Sequence, residues 1–476
     1  MNKNDYIIAI DAGTANVVVL AGRPMEDGRV ELVAGTICGS EGFMRGDIKN
    51  IESSTKAIKQ AVESLETELG IEITEAVVGM SGPGIKCGKH SGYIFVENNE
   101  GEVKESDLQL LSKSMYNTQV GVGESIIHIS PQNYSVDGEH NIKQPVGMMG
   151  KKLEAEFNVV TNDKAAVGRV EKCLCRVGVR PVGYVLNGVA AAEAVLSEDE
   201  KELGVVVIDI GAGTTDLAIY HDNIVRYVSV IPIGGDLINK DIRQAGILER
   251  YAEDLKLRGM AMSQYATNQI ISVPSMGHSS KKGISHKNLS IIIEARLMDI
   301  IEAVQNELNK SGYAKMLEGG VVLTGGSAYF DKIDELISKH LRMPVRIASY
   351  SYGVDVGENS FYNHLSYITA MGVMLKGVRD GLTTYTKVAE KRIEDTNVDV
   401  VNNDANQGVE VDDVQDTHVK ESDEPETKKT NDKQSKVSSL LRRIVDKVND
   451  LFEVVDDKVK DSESHRKGGN SDYNDL

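Results

Sequence analysis

The sequence predicts an α/β fold of two duplicated lobes enclosing a cleft, and three local patterns predict it. The apolar run Ile7-Ile8-Ala9-Ile10 breaks on Asp11-Ala12-Gly13-Thr14 and resumes at Asn16-Val17-Val18. The same arrangement returns where Val205 to Ile208 breaks on Asp209-Ile210-Gly211-Ala212-Gly213-Thr214-Thr215-Asp216 and an apolar run resumes to Ile219. A β-branched run, a glycine turn and a second such run read as a hairpin, and its repetition marks a duplicated domain. Thirdly, Val321-Val322-Leu323-Thr324-Gly325-Gly326-Ser327 reads as a strand, a tight turn and a helix start. With 476 residues and 41% hydrophobic content, the chain has the material for several cores.

The elements follow in order. After the first hairpin, a strand is expected at 30–38, a helix at 53–69, and a strand at 73–81 ending in Gly82-Pro83-Gly84. Short β-like pieces at 91–96 and 126–136 around a helix at 106–116 then read as an inserted subdomain. Helical periodicity returns at 165–177, followed by a strand at 182–186 and a helix at 190–196. The second hairpin opens a repeat of this plan: an insertion, a helix at 291–308, a strand at 320–324 and a helix at 330–340. Residues 388–436 are rich in Asp, Glu, Asn and Thr and poor in aromatics, so a disordered, self-repelling linker is expected. Beyond it, Val437, Leu440, Leu441, Ile444, Val445, Val448, Leu451, Phe452 and Val455 recur at helical spacing beside Lys436, Arg442, Arg443 and Lys447. One apolar stripe flanked by basic residues is expected to lie in a membrane interface, and its attachment to strengthen when a polymer presents many copies.

The chemistry of the turns points to a nucleoside triphosphate. Glycine lets backbone N–H groups approach phosphate closely, threonine adds hydroxyls, and Asp11 and Asp209 have the chemistry to hold Mg²⁺ directly or through water. The glycines of Gly325-Gly326-Ser327 leave room for a flat base. A dinucleotide fingerprint is excluded because Gly211-x-Gly213 leads into another strand, and a P-loop because Gly82, Gly84, Gly88 and Lys89 have the wrong spacing. The net charge of −19 argues against nucleic acid as a partner. Cys38, Cys87, Cys173 and Cys175 match neither a disulfide framework nor a zinc pattern, and the apolar run cut by Asp11 is too short for a signal peptide or a membrane span, so a cytosolic protein with reduced thiols is expected.

At Asp11 to Thr14, Asp209 to Asp216 and Thr324 to Ser327 the chain resembles the actin-like ATPase superfamily in its two phosphate motifs and its adenosine motif. The segments Pro131-Gln132-Asn133-Tyr134 to Asp137, Ile142 to Gly150 with Pro145 and Gly147, and Ser229 to Asp236 with Pro232, Gly234 and Gly235 resemble the FtsA family of bacterial cell-division proteins. That resemblance implies subdomain 1A at 1–83 and 163–203, 1C at 84–162, 2A at 204–235 and 309–387, and 2B at 236–308. The linker at 388–436, the membrane-targeting helix at 437–455 and a polar tail at 456–476 would follow. It implies ATP and Mg²⁺ as ligands, self-association into filaments, and tethering of FtsZ to the cytoplasmic face of the cell membrane at the division septum, among other division proteins. Asp11 and Asp209 become the metal- and water-positioning residues, with Asn187 standing where relatives place a Gln or Glu that orients the attacking water. Asn is one methylene shorter and cannot act as a base, so slow hydrolysis is expected. Gly13, Thr14, Asn16, Gly211, Gly213, Thr214, Thr215, Asp216, Gly234, Gly235, Gly325, Gly326 and Ser327 become the nucleotide contacts. Arg296, near Lys281, Lys282 and Lys287, becomes the contact for the acidic FtsZ tail peptide on 2B. Two rival classes share the phosphate hairpins. A sugar-kinase-like enzyme would need a catalytic Asp beside a polar substrate pocket, and a chaperone-type ATPase a β-rich client domain after residue 385.

Overall fold

The computed structural model describes residues 6–98, 101–274, 281–349, 352–357, 362 and 364–388. The linker and the 437–455 segment, with Leu440, Leu441, Arg442, Arg443, Ile444, Val448, Leu451 and Phe452, lie outside the described residues. Two sheets carry the duplication. In the first lobe the strands run in the order Arg180–Leu186, Glu75–Met80, Ile7–Ala12, Asn16–Pro24, Val30–Gly39, Val354–Asp355. The second lobe orders Val345–Ile347, Gly320–Thr324, Val205–Ile210, Thr215–His221, Ile224–Ile231. In both, an antiparallel three-strand meander is extended on its first strand by two parallel strands. The parallel strands are buried on both faces, hence their unbroken Val and Ile runs.

Local signals fix the helices that clamp these sheets. In Ile51–Leu69, Asn50 Oδ1 accepts from the Glu52 and Ser53 amides, Gly70 ends the helix at φ 66°, and Ala57, Ile58, Ala61, Val62 and Leu65 form the buried stripe. Lys164–Val177 is capped by the Asp163 carboxylate and stopped by Gly178 at φ 92°. The link between lobes is Asn187–Val195, rich in Ala and Val, against which Ile368–Arg379 crosses. Gly372 makes that crossing possible, since any Cβ there would collide with the Ala190 carbonyl.

Residues 86–163 form a separate four-stranded antiparallel sheet, ordered Glu139–Ile142, Glu124–Val136, Lys152–Asp163, Lys86–Phe95. The helix Glu105–Met115 covers one face, where Leu111 and Met115 meet Val136, Leu153, Ala155 and Phe157. Although rooted in the first lobe, this insert bonds to the second. Gln132 Nε2 donates to the Val225 carbonyl at 2.8 Å, Asn158 Nδ2 to the Arg226 carbonyl at 2.8 Å, and Arg226 Nη1 back to the Gln132 carbonyl at 3.0 Å. All three side chains are buried and satisfied. The second lobe carries its own insertion, with helices Asp236–Gln244, Glu249–Lys256 and His286–Ser311 and a hairpin of Ile270–Pro274 with Lys281–Ser285. Among the described residues no helix is long and apolar enough to cross a membrane, and the four cysteines form no disulfide.

Candidate functional site

The two phosphate-type turns come from opposite lobes and meet. In the first, the Gly13 amide donates to the Asn16 carbonyl at 2.9 Å, Ser40 Oγ donates to the Gly13 carbonyl, and Thr14 Oγ1 accepts from the Gly46 amide at 3.0 Å. In the second, the Gly211 amide donates to the Thr214 carbonyl at 2.9 Å. A Cβ at Gly213 would run into Thr14 Oγ1 and stand 2.9 Å from the Arg45 backbone, so only glycine permits this approach between lobes. The start of the helix Asp236–Gln244 backs the second turn: the Gly235 and Asp236 amides donate to the Gly211 and Ala212 carbonyls at 2.9 Å, and a Cβ at Gly234 would press on both. At the third motif, Gly325 turns at φ 88° with no room for a side chain beside Asp209. A 3-10 turn, Gly326–Tyr329, follows, and the α-helix begins only at Ile333.

Between these turns lies a cavity of about 540 Å³. Of the residues expected to contact a nucleotide, Gly13, Thr14, Asn16, Gly211, Gly213, Thr214, Asp216, Gly235, Gly325, Gly326 and Ser327 line it, as do Asp11, Asp209 and Asn187. Thr215 does not. Strand alternation turns its side chain into the core, where its hydroxyl donates to the Ile233 carbonyl at 2.9 Å. Gly234 also stands outside the lining and acts through backbone packing alone.

Three carboxylates converge on the cavity floor. Asp209 and Asp216 sit directly opposite each other in the hairpin, an unfavourable like-charge pairing, and Asp11 joins them from the other lobe. Burial, followed by the neighbouring Asp209, pushes Asp11 up to about 7; burial pushes Asp209 up to about 6; and burial, followed by Asp209, pushes Asp216 up to about 7. Each has a polar donor. Asn187 Nδ2 donates to Asp11 at 3.0 Å, Thr369 Oγ1 to Asp209 at 3.0 Å, and Ser81 Oγ and Thr214 Oγ1 to the two oxygens of Asp216 at 2.6 and 2.8 Å. Asn187 Oδ1 is buried without a partner in the same place. Among the described residues no three acidic, His or Cys side chains are close enough to cage a metal.

Sequence reasoning missed Ser81, Thr369, Glu253, Lys256, Tyr329 and His364, all of which line the cavity. Ser81 carried a faint signal, ending a strand beside Gly82, whereas nothing local marks Thr369 or His364. Arg296, expected to face a partner, is already engaged. Its guanidinium donates to both oxygens of Asp241 at 2.7 and 2.9 Å and to Asp299 at 2.8 Å, with only 14% of the side chain exposed. A peptide carboxylate reaches it only by displacing Asp241 or Asp299.

Comparison with known proteins identifies relatives of the chain. Residues 206–372 match the family model for cell division protein FtsA, and residues 82–161 that for the SHS2 domain inserted in FtsA. The cell division protein FtsA of Pseudomonas aeruginosa is 34% identical over 393 residues, 80% of this chain and 92% of that protein. Its counterpart from Bacillus subtilis is 30% identical over 399 residues, 83% and 88% of the two chains. Among solved structures, the PilM-PilN type IV pilus biogenesis complex shares the fold at 14% identity, with a TM-score of 0.55 over 78% of this chain and 98% of that one. With the duplicated two-lobe architecture, the inserted SHS2 domain and these relatives together, the chain belongs to the FtsA family of cell division proteins.

Proposed function

We propose that this chain binds ATP between its two glycine turns, assembles into filaments, and tethers FtsZ to the cytoplasmic face of the cell membrane at the division septum. The observation that carries the reading is the meeting of Gly213 and Thr14 across the lobes, which brings both glycine turns to the wall of one cavity. Gly13, Thr14, Asn16, Gly211, Gly213, Thr214 and Asp216 take the phosphates, Gly325, Gly326 and Ser327 the adenosine, and Gly234 and Gly235 hold the second turn in place. Acid groups without a closed cage suit Mg²⁺ carried in on phosphate, since Mg²⁺ keeps waters and takes one or two carboxylates. Asp11 and Asp209 would hold it, and the cation would supply positive charge beside carboxylates whose burial raises their proton affinity.

Asn187 Oδ1, lacking a partner, accepts a hydrogen bond from water beside the terminal phosphate but takes no proton from it. Turnover is therefore slow, and ATP works mainly as a ligand that selects a conformation. The 437–455 segment supplies membrane attachment, and the insertion at 236–308 binds the acidic FtsZ tail. Sedimentation with anionic vesicles, ATP and an FtsZ tail peptide tests the whole reading. Deleting 437–455 should abolish pelleting with vesicles while ATP binding persists; unchanged pelleting counts against the adaptor role.

A further inference from the structure

Ser81 is the only side chain of the first lobe that hydrogen-bonds Asp216 among the described residues, and it follows the strand Glu75–Met80 without belonging to either glycine turn. Its Oγ donates to Asp216 Oδ1 at 2.6 Å and lies 3.4 Å from Thr214 Oγ1. Asp216 needs that donor. It is 4% exposed, faces Asp209 across the hairpin, and holds a second hydroxyl, Thr214, on its other oxygen. Here a serine hydroxyl from one lobe steadies a like-charge pair in the other, inside the cavity wall.

The position of Ser81 along the cavity matters. Gly82 stands against Gly46, whose amide donates to Thr14, and Thr214 Cγ2 adjoins the same glycine. Ser81 is thus grouped with the phosphate turns, while Tyr329, in the same 3-10 turn as Gly326, meets His364 with ring centroids 4.7 Å apart, and both line the cavity. Ser81 therefore stands with Thr14, Gly46 and Thr214 at the end of the cavity that the two turns form.

We propose that Ser81 discriminates nucleoside triphosphate from diphosphate by exchanging one acceptor for another. With a terminal phosphate present, its single hydroxyl proton goes to a phosphate oxygen, and Asp216 is left to Thr214 alone. With only a diphosphate, the hydroxyl returns to Asp216 and the cross-lobe bond re-forms. One serine reports the terminal phosphate as the presence or absence of a tie between lobes. The inference rests on nucleotide binding in this cleft and adds the element that reads phosphate number.

The test measures binding of a non-hydrolysable ATP analogue and of ADP to the full chain, with Mg²⁺, by calorimetry. Wild type, Ser81→Ala and Ser81→Thr are compared, with thermal unfolding to verify folding. The exchange favours triphosphate only where the bond to the terminal phosphate exceeds the one given up on Asp216, so the proposal requires that Ser81→Ala weakens the triphosphate about tenfold, leaves ADP within about twofold, and that Ser81→Thr restores the difference. Equal weakening of both ligands, or no change in either, overturns the inference while leaving nucleotide binding intact. Failure of the wild-type chain to bind either ligand would sink the nucleotide reading and this inference with it.

Discussion

Replacing Gly213 with alanine perturbs one point of contact between lobes and nothing else locally. Gly213 is absent from the glycines with positive φ, so alanine suits its backbone. The obstacle is steric. Thr14 Oγ1 stands inside the contact radius of the added Cβ, and the Arg45 backbone is 2.9 Å away. Thr14 can rotate, but it then gives up the bond from the Gly46 amide and leaves a half-buried donor unpaired, at about 1–3 kcal/mol. The Arg45 backbone cannot rotate, so the turns must also separate by about half an ångström to restore ordinary contact, which loosens a phosphate held from both sides. Together these predict a ten- to hundredfold rise in the Kd for ATP, about 1–3 kcal/mol, measured with a fluorescent nucleotide. Gly168→Ala, in the helix Lys164–Val177, is the control, because a Cβ there meets no atom within 4 Å and the residue lies outside the cavity lining. Wild-type affinity in Gly213→Ala, or equal losses in both variants, would refute the idea that the meeting of the turns forms the phosphate site.

Asn187→Gln extends the side chain toward the water it is expected to orient, so phosphate release should rise about tenfold; an unchanged rate would remove Asn187 from the chemistry. The cleft carboxylates give a pH signature. Their folded values of about 6 to 7 exceed the ordinary 3.8, so their contribution to stability is fully present below about pH 4 and lost as pH rises through 6 to 7. The nucleotide-free protein should lose on the order of a few kcal/mol across that window, and Asp216→Asn should flatten the fall; a thermal midpoint with the same slope in both proteins contradicts the assignment. Asp241→Asn releases one partner of Arg296, and tighter binding of an acidic FtsZ peptide is the outcome expected if Arg296 is a contact, whereas weaker or equal binding places the peptide elsewhere.

The parts of the fold written in contiguous residues were legible. Both hairpins, the strand Gly320–Thr324 and the helix Lys164–Val177 follow from period and caps. Strand Lys152–Asp163 escaped notice because its length is set by two partner strands distant in sequence, not by a turn of its own. Helix Ile368–Arg379 is apolar on nearly every face, so it shows little of the amphipathic period that reveals surface helices. Its Thr369 reaches Asp209 across 160 residues of sequence, a relation that only tertiary structure supplies. Thr215 was a different matter: the alternation of the strand after Thr214 already pointed it inward.

The insert is tied covalently to one lobe and by Gln132, Asn158 and Arg226 to the other. Whatever grips the insert therefore holds a lever on the cleft, because lobe movement must strain or break those bonds. Where nucleotide moves the lobes, thermodynamic reciprocity obliges nucleotide and insert-bound partner to alter each other's affinity by the same factor. A division protein docked there would sense the nucleotide state without ever touching it.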